Sequence, residues 1–231
     1  MAKVCLDAGH EGKYNRSPAN KSYYESDMNW KLHLLLKKYL EEYGIEVILT
    51  RDNQDKQLGV YDRGKLAKGC DLFVSIHSNA TAKGLDESVD YPVVIVPLDG
   101  KSDKLGNSLA TCIENVMETK QKGRIYKREG NRGEYYGVIR GAVAVGVPGL
   151  ILEHSFHTNT RSTNWLLNDD NLDKMAKAEA KVFAEYFGIS EKKKDVIYRV
   201  QVGAYSVKAN AEAMQKKLKK AGFDAIIVKA E

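Results

Sequence analysis

GLILEHSF, residues 149–156, is the stretch on which the fold turns. Leu150, Ile151 and Leu152 form an unbroken aliphatic run behind Pro148 and Gly149, and read as a buried strand. The run ends on Glu153. An ionised carboxylate is expensive to bury, so it should be paired, bound to a metal, or held with a perturbed pKa. The plain alternative is a strand that emerges into solvent at that point.

Working outward, strand and helix signals alternate. KVCLDAG (3–9) precedes a helical pattern over about 26–43, with Trp30 and Leu34 at helical spacing. IEVILT (45–50), a helix near 61–68 and DLFVSIHSN (71–79) follow. SVDYPVVIVPL (88–98) carries Pro92 and Pro97, which points to an edge strand. A helix is expected over about 103–120, an irregular Gly- and Arg-rich loop over 123–134, and a last helix over about 172–186. Near-continuous apolar strands alternating with amphipathic helices imply an α/β fold: a mostly parallel twisted sheet flanked by helices.

The chain has 231 residues, 43% of them hydrophobic and 29% charged, an ordinary globular composition. Its longest apolar stretch, 138–152, is broken by Arg140, three glycines and Pro148, so no membrane insertion is expected. A strand-like segment begins almost at once, so no signal peptide is expected. Cys5, Cys70 and Cys112 are odd in number and far apart, as expected of reduced, buried thiols in a protein made in the cytoplasm.

The net charge of +5 lies entirely in the last 43 residues. Residues 1–188 hold 26 basic and 26 acidic side chains, whereas 189–231 hold 10 and 5. EKKKD (191–195) looks like a linker at this boundary. A basic tail suits an anionic partner (nucleic acid, a membrane surface or a wall polymer) or is simply solvated lysine.

In open α/β sheets the ligand site lies beyond the carboxyl ends of the strands. Three strands end in functional side chains there: LDAGH in His10, FVSIH in His77 and LILE in Glu153. Two imidazoles and a carboxylate suit a hydrolytic zinc site with an open position for water. If Glu153 is kept for chemistry, one anionic ligand is missing. Glu25, at the start of the first long helix, can supply it, or can merely complement the helix dipole.

Residues 3–187 resemble the zinc-dependent N-acetylmuramoyl-L-alanine amidases of the Amidase_3 type. The resemblance rests on DAGH, Glu25 followed by Asn29, Thr50-Arg51, DRGKLA (62–67), FVSIHSNA and PGLILEHSF, in that order. It implies His10, Glu25 and His77 as ligands of one zinc ion and Glu153 as the catalytic carboxylate. It also implies peptidoglycan as substrate, with no nucleic-acid partner, and cleavage between N-acetylmuramic acid and the L-alanine of the stem peptide. Such a protein would be an endolysin or an autolysin. A zinc carboxypeptidase acting within the stem peptide and a non-catalytic wall-binding protein are the alternatives.

Two places depart from the family pattern. HEGKYNRSPANKSYY (10–24) replaces a glycine-rich run, and His154 and His157 stand where small and aliphatic residues are usual. Asn79, His154 and His157 are therefore candidate substrate contacts, with a plain polar role as the alternative for the two histidines.

YRVQVGAYSVKANAEAMQKKLKKAGFDAIIVKAE (198–231) resembles one half of a SPOR domain, a peptidoglycan-binding module. VQVGAYS and FDAIIVK are its expected strands, and 209–221 its helix. The expected organisation is a catalytic domain at 1–188, a linker at 189–195 and the half module at 196–231. A lone βαβ unit of this length buries too little to fold unaided. Homodimer formation through 196–231 is one remedy. With no export signal, the enzyme is expected to reach the wall after membrane breach.

Overall fold

The computed structural model describes residues 1–131, 133–190 and 200–229. The expected linker EKKKD, together with Tyr198 and Arg199 of the C-terminal motif, lies outside the described residues. The chain forms two compact units, Met1–Lys192 and Lys193–Glu231.

In the first unit the strands are β1 (Lys3–Ala8), β2 (Glu46–Leu49), β3 (Leu72–Asn79), β4 (Val93–Ile95), β5 (Arg124–Tyr126), β6 (Glu129–Gly130), β7 (Gly133–Glu134) and β8 (Gly149–Phe156). The helices are α1 (Glu25–Glu42), α2 (Val60–Lys65), α3 (Asp103–Met117), α4 (Gly137–Ala144), α5 (Thr160–Leu166) and α6 (Asp169–Tyr186). Six strands make one sheet in the order β2-β1-β3-β8-β4-β5, parallel at every pairing except β4 with β8. The fold is the expected α/β sandwich.

Alternation along the strands sorts the core into two layers. Val4, Leu6, Val74, Ile76, Leu150 and Leu152 meet the apolar stripes of α1, α3 and α6. Cys5, Phe73 and Ile151 face Val138, Ile139 and Ala142 of α4 on the other side. The three cysteines are unpaired, and burial pushes the Cys112 thiol up to about 12. Among the described residues no helix is long and apolar enough to cross a membrane.

Three expectations are corrected. Residues 93–95 are not an edge strand, because β5 covers that side; Pro92 and Pro97 flank β4 and so withhold no ladder donor from it. The Gly- and Arg-rich loop is not irregular: it supplies β5 to the main sheet and the small β6–β7 hairpin. Among residues 200–229, only α7 (Lys208–Lys220) is regular; VQVGAYS and FDAIIVK form no strands. Val200, Val202, Phe223, Ile226 and Val228 are exposed, and α7 buries no residue. Two short strands with unpaired edges and a single helix beside them lack the burial that would offset their ordering.

Helices α2 and α4 touch backbone to backbone through Gly64 and Gly141. A Cβ on Gly141 would lie 2.1 Å from the Tyr61 carbonyl oxygen, where no side chain can yield. This contact fixes α4 and hence Tyr136, its N-cap residue, beside the strand ends. Gly141→Ala is expected to destabilise the first unit by about 1–3 kcal/mol through overpacking. A urea denaturation midpoint equal to that of the wild type would contradict this.

Candidate active site

The carboxyl ends of β1, β3 and β8 bring three of the expected residues to one edge of the sheet, where His77 and Glu153 are register partners. Glu25, the first residue of α1, completes the group. Its Oε1 lies 2.9 Å from His77 Nδ1 and its Oε2 lies 3.3 Å from His10 Nε2. One donor atom from each of His10, Glu25 and His77 falls within 4.8 Å of the others.

Each position has a local cause. DAGH turns sharply at His10, which adopts a left-handed φ of 61°. Arg51 holds that turn, with Nη2 donating to the carbonyls of Ala8 and His10. Asn29, one helical turn after Glu25, donates from Nδ2 to the Gly9 carbonyl at 3.1 Å. Gly9 leaves room for His77, since a Cβ there would lie 2.1 Å from the imidazole ring. The Thr-Arg pair and the Glu–Asn spacing seen in the sequence thus both act on the DAGH turn.

Glu25 is 2% exposed. Burial pushes its pKa up, but the hydrogen bonds and charges of His10 and His77 outweigh that and hold it well below the ordinary glutamate value. Asn15 Nδ2 donates to Oε2 at 2.6 Å and the Ser78 amide donates to Oε1 at 3.2 Å. Glu153 is in the opposite condition. Burial first, and repulsion from Glu25 second, raise its pKa well above the ordinary value. Its Oε2 is buried and has no hydrogen-bond partner among the described residues. The environments of the two carboxylates thus push their pKa values in opposite directions.

These residues line a cleft of about 320 Å³, walled by Tyr136, Ser78 and His157. Asn79 also lines it, its Oδ1 accepting from the Ala80 amide. His157 also lines it, with Nδ1 2.9 Å from Ser78 Oγ. His154 does not. Alternation turns it to the opposite face of β8 from Glu153, where it is fully buried. Its Nδ1 lies 2.9 Å from the His77 carbonyl oxygen and its Nε2 lies 2.7 Å from Glu179 of α6. A substrate contact through His154 is therefore excluded; it ties α6 to the strands that carry the site.

Asn15 and Tyr136 went unrecognised in the sequence. Asn15 sits in the loop that departs from the family pattern, held at a left-handed φ of 51°. Its nearness to Glu25 depends on loop geometry that no periodicity encodes. Tyr136 depends on the α2–α4 contact.

The Amidase_3 family, described as N-acetylmuramoyl-L-alanine amidase, matches residues 4–184. The chain belongs to this family. The SPOR domain family matches residues 168–229. A sporulation-specific N-acetylmuramoyl-L-alanine amidase of Bacillus subtilis is 25% identical over 232 residues, covering 99% of this chain and 85% of the relative. The endolysin of Bacillus phage SPP1 is 30% identical over 193 residues, covering 82% of this chain and 67% of the endolysin. Among solved structures, the catalytic domain of CwlV, an amidase from Bacillus (Paenibacillus) polymyxa var. colistinus, superposes with a TM-score of 0.68. That likeness, at 23% identity, covers 82% of this chain and 100% of that domain and attests the fold.

The His154–Glu179 pair gives the amidase unit a pH signature. Burial lowers the His154 pKa, but the charge and hydrogen bond of Glu179 outweigh it, so the folded value stands above the ordinary one. A base raised on folding contributes stability that is complete below its unfolded pKa of about 6.5 and is lost as pH rises through the folded value. Unfolding free energy should therefore fall above neutrality in the wild type and fall less steeply in Glu179→Gln. Parallel denaturation curves for the two proteins across that range would refute the coupling.

Proposed function

We propose that His10, Glu25 and His77 hold a zinc ion and that Glu153 moves the protons in hydrolysis of the amide between N-acetylmuramic acid and L-alanine. The observation that carries this reading is the convergence of a His-Glu-His donor set beside a buried carboxylate oxygen with no partner of its own. The donor set fits the metal: two imidazoles and one anionic oxygen are the ligand types of catalytic zinc sites with an open position. Held by His10, Glu25 and His77, a zinc ion would supply Lewis acidity toward the scissile carbonyl and the attacking water.

The chain's own residues do the rest. Glu153 accepts the proton of the attacking water and passes it to the departing alanine nitrogen. A raised pKa suits this traffic, because it brings the acid and base forms of the carboxyl closer in energy at neutral pH. Tyr136 and His157 wall the cleft and limit where the amide can lie. General acid–base assistance of this kind is worth roughly 10²–10⁴-fold in rate.

His77→Ala should lose stoichiometric zinc, whereas Glu153→Ala should retain it with activity near background. Elemental analysis and turnover of both variants decide the assignment; a zinc-free or fully active Glu153→Ala would sink it. Mass spectrometry of digested muropeptides separates the reactions. Free amino-terminal alanine with intact muramic acid marks the amidase, and shortened stem peptides mark a carboxypeptidase.

The same proposal gives catalysis to residues 1–188 and wall binding to 196–231, joined by 189–195. Unpaired thiols suit synthesis in a reducing compartment, with access to the wall on membrane breach. Exposed Val200, Val202, Phe223, Ile226 and Val228 supply the apolar surface that pairing between two chains would cover. Light scattering should give a dimer for the full chain and a monomer for residues 1–188. A full-length monomer throughout the micromolar range would rule out the pairing.

A further inference from the structure

His77 presents only one ring nitrogen to the ligand cluster. Its Nδ1 faces Glu25, while Nε2 lies 3.1 Å from Ser75 Oγ, two residues back on the same face of β3. Ser75 Oγ in turn lies 2.8 Å from Asp7 Oδ2, and both residues are fully buried. Asp7 Oδ1 accepts from Thr50 Oγ1 at 2.6 Å, and Arg63 Nη1 stands 3.9 Å from Oδ2. Asp7 is thus an acceptor on both oxygens, and the Ser75 hydroxyl proton points to it. The lone pairs of Ser75 Oγ are then left for Nε2, which must carry the hydrogen.

We propose that Ser75 relays Asp7 to His77, fixing the imidazole as the Nε2–H tautomer so that the Nδ1 lone pair is aimed at the metal. Asp7 and Ser75 are positioning residues: neither reaches the cleft, and both act through the ring. The register Asp7↔Ser75 across β1 and β3 sets the relay, and the absence of a side chain at Gly9 leaves the ring the space to reach it. Residues that orient a ligating imidazole through its second nitrogen typically contribute 10–100-fold to metal affinity. Thr50 and Arg63 belong to motifs of the sequence that had no function of their own; here they complete the surroundings of Asp7.

The relay rests on the zinc reading, and the test separates the two. Zinc affinity is measured by chelator competition for the wild type, Ser75→Ala and Thr50→Val, with the unfolding midpoint of each metal-free protein. Both substitutions remove one hydrogen bond to Asp7, but only Ser75→Ala removes the contact with the ring. Ser75→Ala should bind zinc 10–100-fold more weakly, and Thr50→Val should stay within a few-fold of the wild type. Equal losses in both variants, or none in Ser75→Ala, overturn the relay while leaving the metal site standing. Failure of the wild type to bind zinc overturns both. If Ser75→Ala does not fold, nitrogen-15 spectra of histidine-labelled, zinc-loaded wild type decide alone. Metal-shifted Nδ1 with protonated Nε2 supports the relay, and the reverse assignment ends it.

Discussion

A buried carboxylate with imidazoles on both sides is the constraint to which the rest of the catalytic unit answers. Glu25 has almost no contact with water, so its charge is tolerable only because polar groups that can hold a charge or a cation surround it. Those groups come from far along the chain: the His10 ring after β1, the Asn15 amide from the following loop, and the His77 ring and Ser78 amide at the end of β3. Each has to arrive within hydrogen-bonding distance at once. The parallel register of β1 and β3 brings two of them to the same edge, and the N-terminus of α1 delivers the acid with a favourable helix dipole.

The same charge prepares Glu153. Repulsion from Glu25 adds to burial in raising its pKa, so Glu153 favours its proton while His10 and His77 hold Glu25 charged. The opposite shifts thus follow from placement. His77 lies opposite Glu153 in the sheet, which keeps the two carboxylates apart while both border one cleft. A one-residue slip between β3 and β8 would turn Glu153 to the α6 side, where His154 now meets Glu179.

The sheet and the four principal residues were legible because they obey short-range rules. Aliphatic runs marked β1, β3 and β8, and the residue ending each run was visible without knowing the turn that follows. What escaped depends on contacts between distant segments. Residues 93–95 had the prolines of an edge strand, and nothing local announced that 124–126 would cover them. His154 stood beside Glu153 and shared its chemistry on paper, yet the two-residue period of a strand sends neighbours to opposite faces. Applying that period strictly would have removed His154 and singled out Ser75, which shares a face with His77. Asn15 had no such signal, since a left-handed residue in a polar loop can point anywhere until the loop closes.

The C-terminal segment shows where a family resemblance outruns local physics. The SPOR match runs over 168–229, but its first part is α6, whose Leu172, Met175, Ala176, Ala180 and Phe183 are buried in the amidase core. Helix α6 is also tied to β8 by Glu179 and His154. It cannot serve as a helix of a separate wall-binding module while the catalytic unit is folded. Among residues 200–229 there remain one amphipathic helix and two apolar stretches that form no ladder, and one helix cannot cover both faces of a narrow sheet. The strands of a SPOR-like half are therefore conditional elements. They need edges and a second apolar layer from outside the segment, so their formation and the binding of whatever supplies that layer are one equilibrium.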